Sequence, residues 1–373
     1  MAVSSALLLI GLAACGSDSD SSGGDGGSSG ETDDAAVAAA QERIDPYLNP
    51  TDDIPVDVPL TQAPEEGLRV ALVRYNNQPA AVYDQFYEEA AEVLNWDFAV
   101  YAVEATDPQG IPNGVLRAVS EGVNSIVVQG SGIDAMGPSL AAAKDAGIPV
   151  FLGAASPTDL PEGEANGVYG NVMSENGISA NVAMADQMIV DSGGTGNAVF
   201  VNVPDFPGLA PINDAIETHV AENCSGCSLE MLNISAGDLG GDVASTVVAA
   251  VRQNPDVEYV IGSYANVVRG LPQALAAAGL DTVKVFVSQP TEESIVEQVE
   301  QGDYAATILI PTGSFSWAVM DQIARVNLGM DPLQDEYADL GMALYTAEDF
   351  PEGTRSWDLA DYQSQYEELW QLS

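Results

Sequence analysis

The spacing that most invites chemistry is Cys224-Ser225-Gly226-Cys227, a Cys-x-x-Cys pair. A redox pair of this kind wants its first cysteine at a helix amino terminus, where the helix dipole lowers the thiol pKa. Here the pair follows a helical stretch and precedes an apolar run. It therefore reads as a Cys224–Cys227 disulfide that staples a turn in an oxidising compartment. Two cysteines do not make a zinc site, and the single His219 adds no neighbouring ligand, so no metal centre is expected. No nucleophile elbow is present, and 56 Asp and Glu are too many for any one carboxylate pair to carry meaning. Neither enzyme activity nor a cofactor is expected. What remains is recognition, and its first candidates are Tyr75, Asn76 and Asn77, a polar turn between an apolar run and a helical one.

Those residues need a frame. Between Arg69 and Trp96, Val70, Ala71, Leu72 and Val73 suit a strand buried on both faces, and Val82, Phe86, Ala90, Val93 and Leu94 recur at helical spacing. Strand, turn and helix form half of a βα unit, and doubly wound sheets bind ligands at the carboxyl ends of such strands. Paired asparagines also suit a tight turn for local reasons alone. Further strands are read at 97–103, 125–129, 148–152, 198–203, 228–234, 259–263 and 283–288. Helices are read at 110–122, 136–146, 175–191, 209–221, 241–253 and 269–278. This alternation implies mainly parallel α/β sheets. The strands are too many for one modest sheet, and a Gly/Pro/Ser-rich break at 154–170 predicts two similar Rossmann-like lobes.

Charge excludes more than it identifies. Ten Lys and Arg against 56 Asp and Glu give a formal net charge of -46, which repels nucleic acid and anionic lipid headgroups. The apolar run Ala6–Leu12 followed by small residues reads as a signal peptide over 1–14. Leu12-Ala13-Ala14-Cys15-Gly16 resembles the bacterial lipobox, which implies a diacylglycerol on Cys15. The Gly/Ser/Asp-rich 15–34 reads as a flexible, self-repelling tether. Residues 35–67, a helix-like piece and then a Pro-rich stretch, read as a lead-in on the domain surface.

From about Leu68 to Tyr345 the sequence resembles the type I periplasmic solute-binding proteins of the ribose and galactose group, as found in actinobacterial lipoproteins. The segments that carry the resemblance are Tyr75-Asn76-Asn77-Gln78-Pro79, Asn254-Pro255-Asp256-Val257, the helix from Gly270 to Gly279, Gln301-Gly302-Asp303-Tyr304-Ala305-Ala306-Thr307, and the helix from Trp317 to Gly329. The resemblance implies two lobes joined by three crossings with a solute trapped between them. Lobe 1 would be 68–155 plus 312–330 and lobe 2 would be 156–311 plus 331–345. The tail, 346–373, carries Trp357, Tyr362, Tyr366 and Trp370, which are expected to pack on a lobe.

The family's sugar-gripping residues align with Ala154, Ala155, Tyr264, Ala265, Gln289 and Ile310, while the Asn76-Asn77 turn is kept. Buried hydroxyls without partners cost about 1–3 kcal/mol each, so these replacements suit an aromatic or weakly hydroxylated solute better than a hexose. The expected wall residues are Tyr75, Asn76, Asn77, Tyr83, Gln129, Asn171, Phe206, Tyr264, Gln289 and Trp317. The function implied is a monomeric, extracytoplasmic, lipid-anchored receptor that delivers a small solute to ABC permease subunits. A sugar-binding importer component and a sensory receptor signalling to a membrane kinase are the alternatives.

Overall fold

Short apolar runs buried on both faces become the strands of two parallel sheets, and the polar-faced helices between them cover those faces. The computed structural model describes residues 33–155, 160–206 and 208–372. Cys15, the signal segment and most of the tether lie outside the described residues. Among the described residues no helix is long and apolar enough to cross a membrane.

Helix α1 (Asp34–Leu48) comes first, capped by the Asp33 carboxylate, which accepts from the Ala36 amide. The first lobe follows as β1 (Arg69–Tyr75), α2 (Gln78–Ala81), α3 (Asp84–Val93), β2 (Asp97–Val103), α4 (Gly110–Glu121), β3 (Ser125–Gln129), α5 (Gly137–Asp145), β4 (Val150–Gly153), α6 (Leu160–Ala165) and β5 (Val168–Val172). Its sheet runs β2-β1-β3-β4-β5, parallel throughout. The second lobe contains α7 (Asn176–Asp191), β6 (Asn197–Asn202), α8 (Ile212–Asn223), β7 (Ser228–Asn233), α9 (Val243–Gln253), β8 (Tyr259–Gly262), α10 (Leu271–Ala277), β9 (Lys284–Ser288), α11 (Glu293–Glu300) and β10 (Ala306–Leu309). Helix α12 (Thr312–Asn327) returns to the first lobe, β11 (Ala343–Thr346) rejoins the second, and α13 (Tyr362–Leu369) closes the chain on α12. The second sheet runs β11-β10-β9-β8-β6-β7, with only β11 antiparallel to its neighbour.

The boundary expected at residue 156 is displaced. Strand β5 pairs with β4, so residues through Val172 belong to the first sheet and the first crossing lies just before α7. Gly170 explains why β5 does not look like a strand. A Cβ there would run into the Gln322 side chain on α12, so close helix packing demands glycine inside the strand.

The crossings meet at one buried carboxylate. Asp321 on α12 accepts from Arg325 Nε at 2.5 Å, Tyr337 Oη at 2.7 Å and Trp370 Nε1 at 2.9 Å. Arg325 Nη2 donates to the Val58 carbonyl at 2.7 Å. The Tyr337 carbonyl accepts from the Met173 amide at 2.9 Å. One charge pair thus ties together lead-in, tail and crossing segments.

The lead-in and the tail each add a passage between the lobes. Helix α1 buries Ala36, Ala40 and Ile44, and its Arg43 grips Asp186 of α7 through two hydrogen bonds. The chain then reaches the first lobe, where the Glu65 carbonyl accepts from Trp96 Nε1. In the tail, Gly353 and Arg355 hold Glu300 of α11, after which the Asp358 carboxylate accepts from the Gly313 and Ser314 amides at the start of α12.

Candidate functional site

In a parallel sheet the loops after the strands share one edge, and here the two sheets present those edges to a common cleft of ≈ 690 Å³. Tyr75 ends β1 and Gln129 ends β3. Ala154 follows β4, Met173 and Ser174 follow β5, Phe206 follows β6, Ser263 and Tyr264 follow β8, and Gln289 follows β9. Among the described residues, no lining residue is charged. Among the described residues only Asp186, Glu292 and Asp321 of the acidic side chains are buried.

Two charged groups that adjoin lining residues in sequence have ion-pair partners of their own. Arg74, buried beside Tyr75, turns its guanidinium onto Asp84 and donates to the Tyr75 carbonyl. Glu292, next to the lining residue Thr291, is paired with Arg269, which also donates to Asn266 Oδ1 at 2.8 Å. Burial pushes the Tyr264 hydroxyl well above its ordinary pKa, and the nearby Glu292 charge adds to the shift. Burial does the same to Tyr83, with Asp358 adding to it.

Three non-glycine residues on the lining hold a left-handed backbone: Ala154 (φ 48), Met173 (φ 56) and Gln289 (φ 49). Each sits directly beyond a strand and turns the chain sharply into the cleft. Such conformations cost of order 1–3 kcal/mol each and persist only where the surroundings over-determine them. Hydrogen bonds from the Ala154 amide to Val172 O and from the Gln289 amide to Ile308 O do this. On the cleft's flank the lobes almost touch. A Cβ on Gly208 would meet the Ala154 carbonyl oxygen at 3.2 Å. Tyr75 of the first lobe and Phe206 of the second face each other with ring centroids 6.2 Å apart.

Of the residues expected on the wall, Tyr75, Asn77, Tyr83, Gln129, Phe206, Tyr264 and Gln289 do line the cleft. Asn77 also caps α2, its Oδ1 accepting from the Ala80 amide at 2.9 Å, so only its amide group is free to face the cleft. Asn76 is exposed and donates to Glu104, off the lining. Asn171 is fully buried inside β5 and absent from the lining. Trp317 is a correction of another kind. It stacks on Trp370 at 5.1 Å and meets Tyr362 edge-on, which makes it the anchor of the tail and no part of the cleft. Missed by sequence reasoning were Ser174, Ser263, Asn266 and Thr291. Each lies within four residues of a strand end, the one signal that marks them.

The paired cysteines form a disulfide across the turn between α8 and β7. Among the described residues there is no cluster of potential metal ligands.

Two lobes of mainly parallel α/β sheet facing each other across a hinged cleft define the type I periplasmic binding protein fold. Residues 70–329 match the periplasmic binding protein domain family, and the chain belongs to it. That family works outside the cytoplasm. An ABC sugar transporter subunit from Rhodobacter sphaeroides 2.4.1 is similar at 19% identity and TM-score 0.65, over 76% of this chain and 99% of that one. A periplasmic solute-binding protein from Actinobacillus succinogenes 130z with bound D-allose is similar at 18% identity and TM-score 0.64, over 76% and 98%. A glucose-galactose binding protein from Geobacillus stearothermophilus is similar at 16% identity and TM-score 0.66, over 77% and 100%. At such identities these solved structures speak to the fold alone. No curated protein matches the sequence.

Proposed function

We propose that the protein is the solute-binding component of an ABC importer, a monomer anchored through a lipid on Cys15 that captures an uncharged, aromatic or weakly hydroxylated solute. The observation that carries the reading is the cleft itself: strand ends of both sheets converge on it, and among the described residues none of its lining side chains is charged. A solute that touches both lobes favours the closed arrangement, and the closed form is what a permease would recognise. The apolar lining at Ala154, Ala155 and Ile310 supports a solute with few hydroxyls. A sugar or polyol is the second reading, favoured by the D-allose and the glucose-galactose named for two of the similar proteins.

A thermal-shift panel decides between them. Aromatic and apolar neutral compounds should raise the melting temperature more than hexoses and pentoses do. Tyr264→Ala and Gln289→Ala should each weaken binding several-fold in calorimetry without a comparable loss of stability. Unchanged affinity in both variants would remove the cleft assignment, while a hexose bound at micromolar affinity would install the second reading.

A further inference from the structure

The cleft offers two kinds of surface, and they call for different chemistry. Its floor holds buried polar side chains, Gln129 at 5% exposure and Ser263 at 0%. Gln129 Oε1 and Ser263 Oγ have no protein hydrogen-bond partner, and neither has the Thr291 hydroxyl beside them on the lining. Nearer the mouth, which is marked by the exposed Thr106, Gly237 and Gly240, the half-buried rings of Tyr75, Phe206 and Tyr264 take over. The Tyr264 hydroxyl is likewise buried without a protein partner, and Tyr83, Ala155, Met173 and Ile310 add buried apolar surface, so polar atoms that need donors and acceptors adjoin flat apolar faces.

Size points the same way. A hexose has about twelve non-hydrogen atoms, and at about 30 Å³ for each water-sized unit it would fill roughly half of the ≈ 690 Å³ available. Well-matched pockets bury most of their ligand's surface, so a second ring has a place. For an anion or a cation, no lining side chain among the described residues would supply a partner.

We propose that the cleft takes an uncharged glycoside with a planar aromatic partner ring, its hydroxylated half on Gln129, Ser263 and Thr291 and its flat half against Tyr75, Phe206 and Tyr264. This rests on the reading above that the cleft receives a neutral solute. Nucleosides and aryl glycosides share this chemistry, and the same measurement separates them. Hydroxyls that donate to Gln129 Oε1 in one lobe and bond Ser263 Oγ in the other make the ligand a bridge between lobes. The pyranose or furanose ring thereby becomes the part that drives closure, and the aromatic ring the part that sets selectivity.

The test is calorimetry on the full-length protein with D-glucose, D-ribose, 4-nitrophenyl β-D-glucopyranoside, adenosine, uridine and adenosine 5′-monophosphate. At least one glycoside should bind more than about tenfold tighter than its free sugar, and adenosine 5′-monophosphate should bind at least about tenfold more weakly than adenosine if the nucleoside arm is the one that binds. Phe206→Ala should weaken the bound glycoside about tenfold while leaving the free sugar within about twofold, and Gln129→Ala should weaken both. Melting curves of both variants check that they fold. A free sugar that binds as tightly as its glycoside, or a Phe206→Ala loss equal for both, overturns the proposal. Failure of every glycoside also overturns it, yet leaves the neutral-solute reading standing if a simple sugar or a plain aromatic compound binds. Binding confined to charged compounds would sink both.

Discussion

Replacing Asp321 by alanine should cost this protein more than any other single change in its hinge region. The carboxylate is fully buried and accepts from Arg325, Tyr337 and Trp370. With it gone, the Arg325 guanidinium, whose side chain is only 1% exposed, keeps the Val58 carbonyl as its hydrogen-bond acceptor. Removing one partner of a buried ion pair costs about 3–5 kcal/mol, because an uncompensated charge stays in a medium that solvates it poorly. The donors on Tyr337 and Trp370 also lose their acceptor, so the upper half of that range is the better figure.

At about 2 °C per kcal/mol for a chain of this size, the melting temperature should fall by about 6–10 °C. The assay is thermal unfolding followed by circular dichroism and by tryptophan fluorescence. Fluorescence reports on Trp370 and Trp317 directly, since the two rings are stacked. The double variant Asp321→Leu/Arg325→Met removes both charges together and should recover most of the loss. A single variant that melts within about 3 °C of the parent, or a double variant no better than the single, would refute the account of this site as a charge pair that holds the hinge segments together.

Two further predictions follow from the same geometry. Ligand affinity should be flat from pH 5.5 to 9: among the described residues no lining side chain is a carboxylate, amine or imidazole, and Tyr83 and Tyr264 are shifted upward, which keeps their hydroxyls protonated throughout that window. A calorimetric affinity that changes by more than about threefold across it would mean that a titrating group reaches the ligand. Replacing Cys224 and Cys227 by serine should lower stability by about 2 kcal/mol, the chain-entropy value for so short a loop, without altering affinity. An affinity change in denaturant-matched calorimetry would give the disulfide a role beyond the turn it closes.

The parts of the fold that were legible in the sequence are those set by short-range pattern. Strands Asp97–Val103 and Ser125–Gln129 emerge where they were read; Ser125–Gln129, buried throughout, advertises itself as an apolar run. Strand β5 was hidden by Gly170, which is present for the sake of Gln322, a residue far along the chain. Trp317 was misplaced for a related reason. Helix α12 is buried all round, so no apolar stripe shows which face meets the cleft, and the partners that claim the indole come from the tail. Asn77 carried both of its readings at once, since it caps a helix with its oxygen and lines the cleft as well. The floor residues Ser263 and Thr291 are small and polar, and composition gives them no signal. Only their position past a strand end does.

The division of charge between surface and cleft makes its own demand. A net charge of -46 distributed over the outside must oppose compaction, since like charges are closer together in the folded state than in the open chain. The Debye length shrinks from about 10 Å at 0.1 M salt to about 3 Å at 1 M, so added sodium chloride should relieve that repulsion and raise the melting temperature steadily. The cleft should not notice. Its lining, among the described residues, has no charge for salt to screen, and a neutral solute is not steered by the field outside, so the association rate should stay within about twofold over the same range. Stopped-flow tryptophan fluorescence and thermal unfolding at matched salt concentrations measure the two effects on one sample. A melting temperature indifferent to salt would show that the acidic surface is already neutralised by tightly bound cations. An association rate that falls steeply with salt would show that the true ligand is a cation, which neither the uncharged lining nor the paired Arg74 and Glu292 can accommodate.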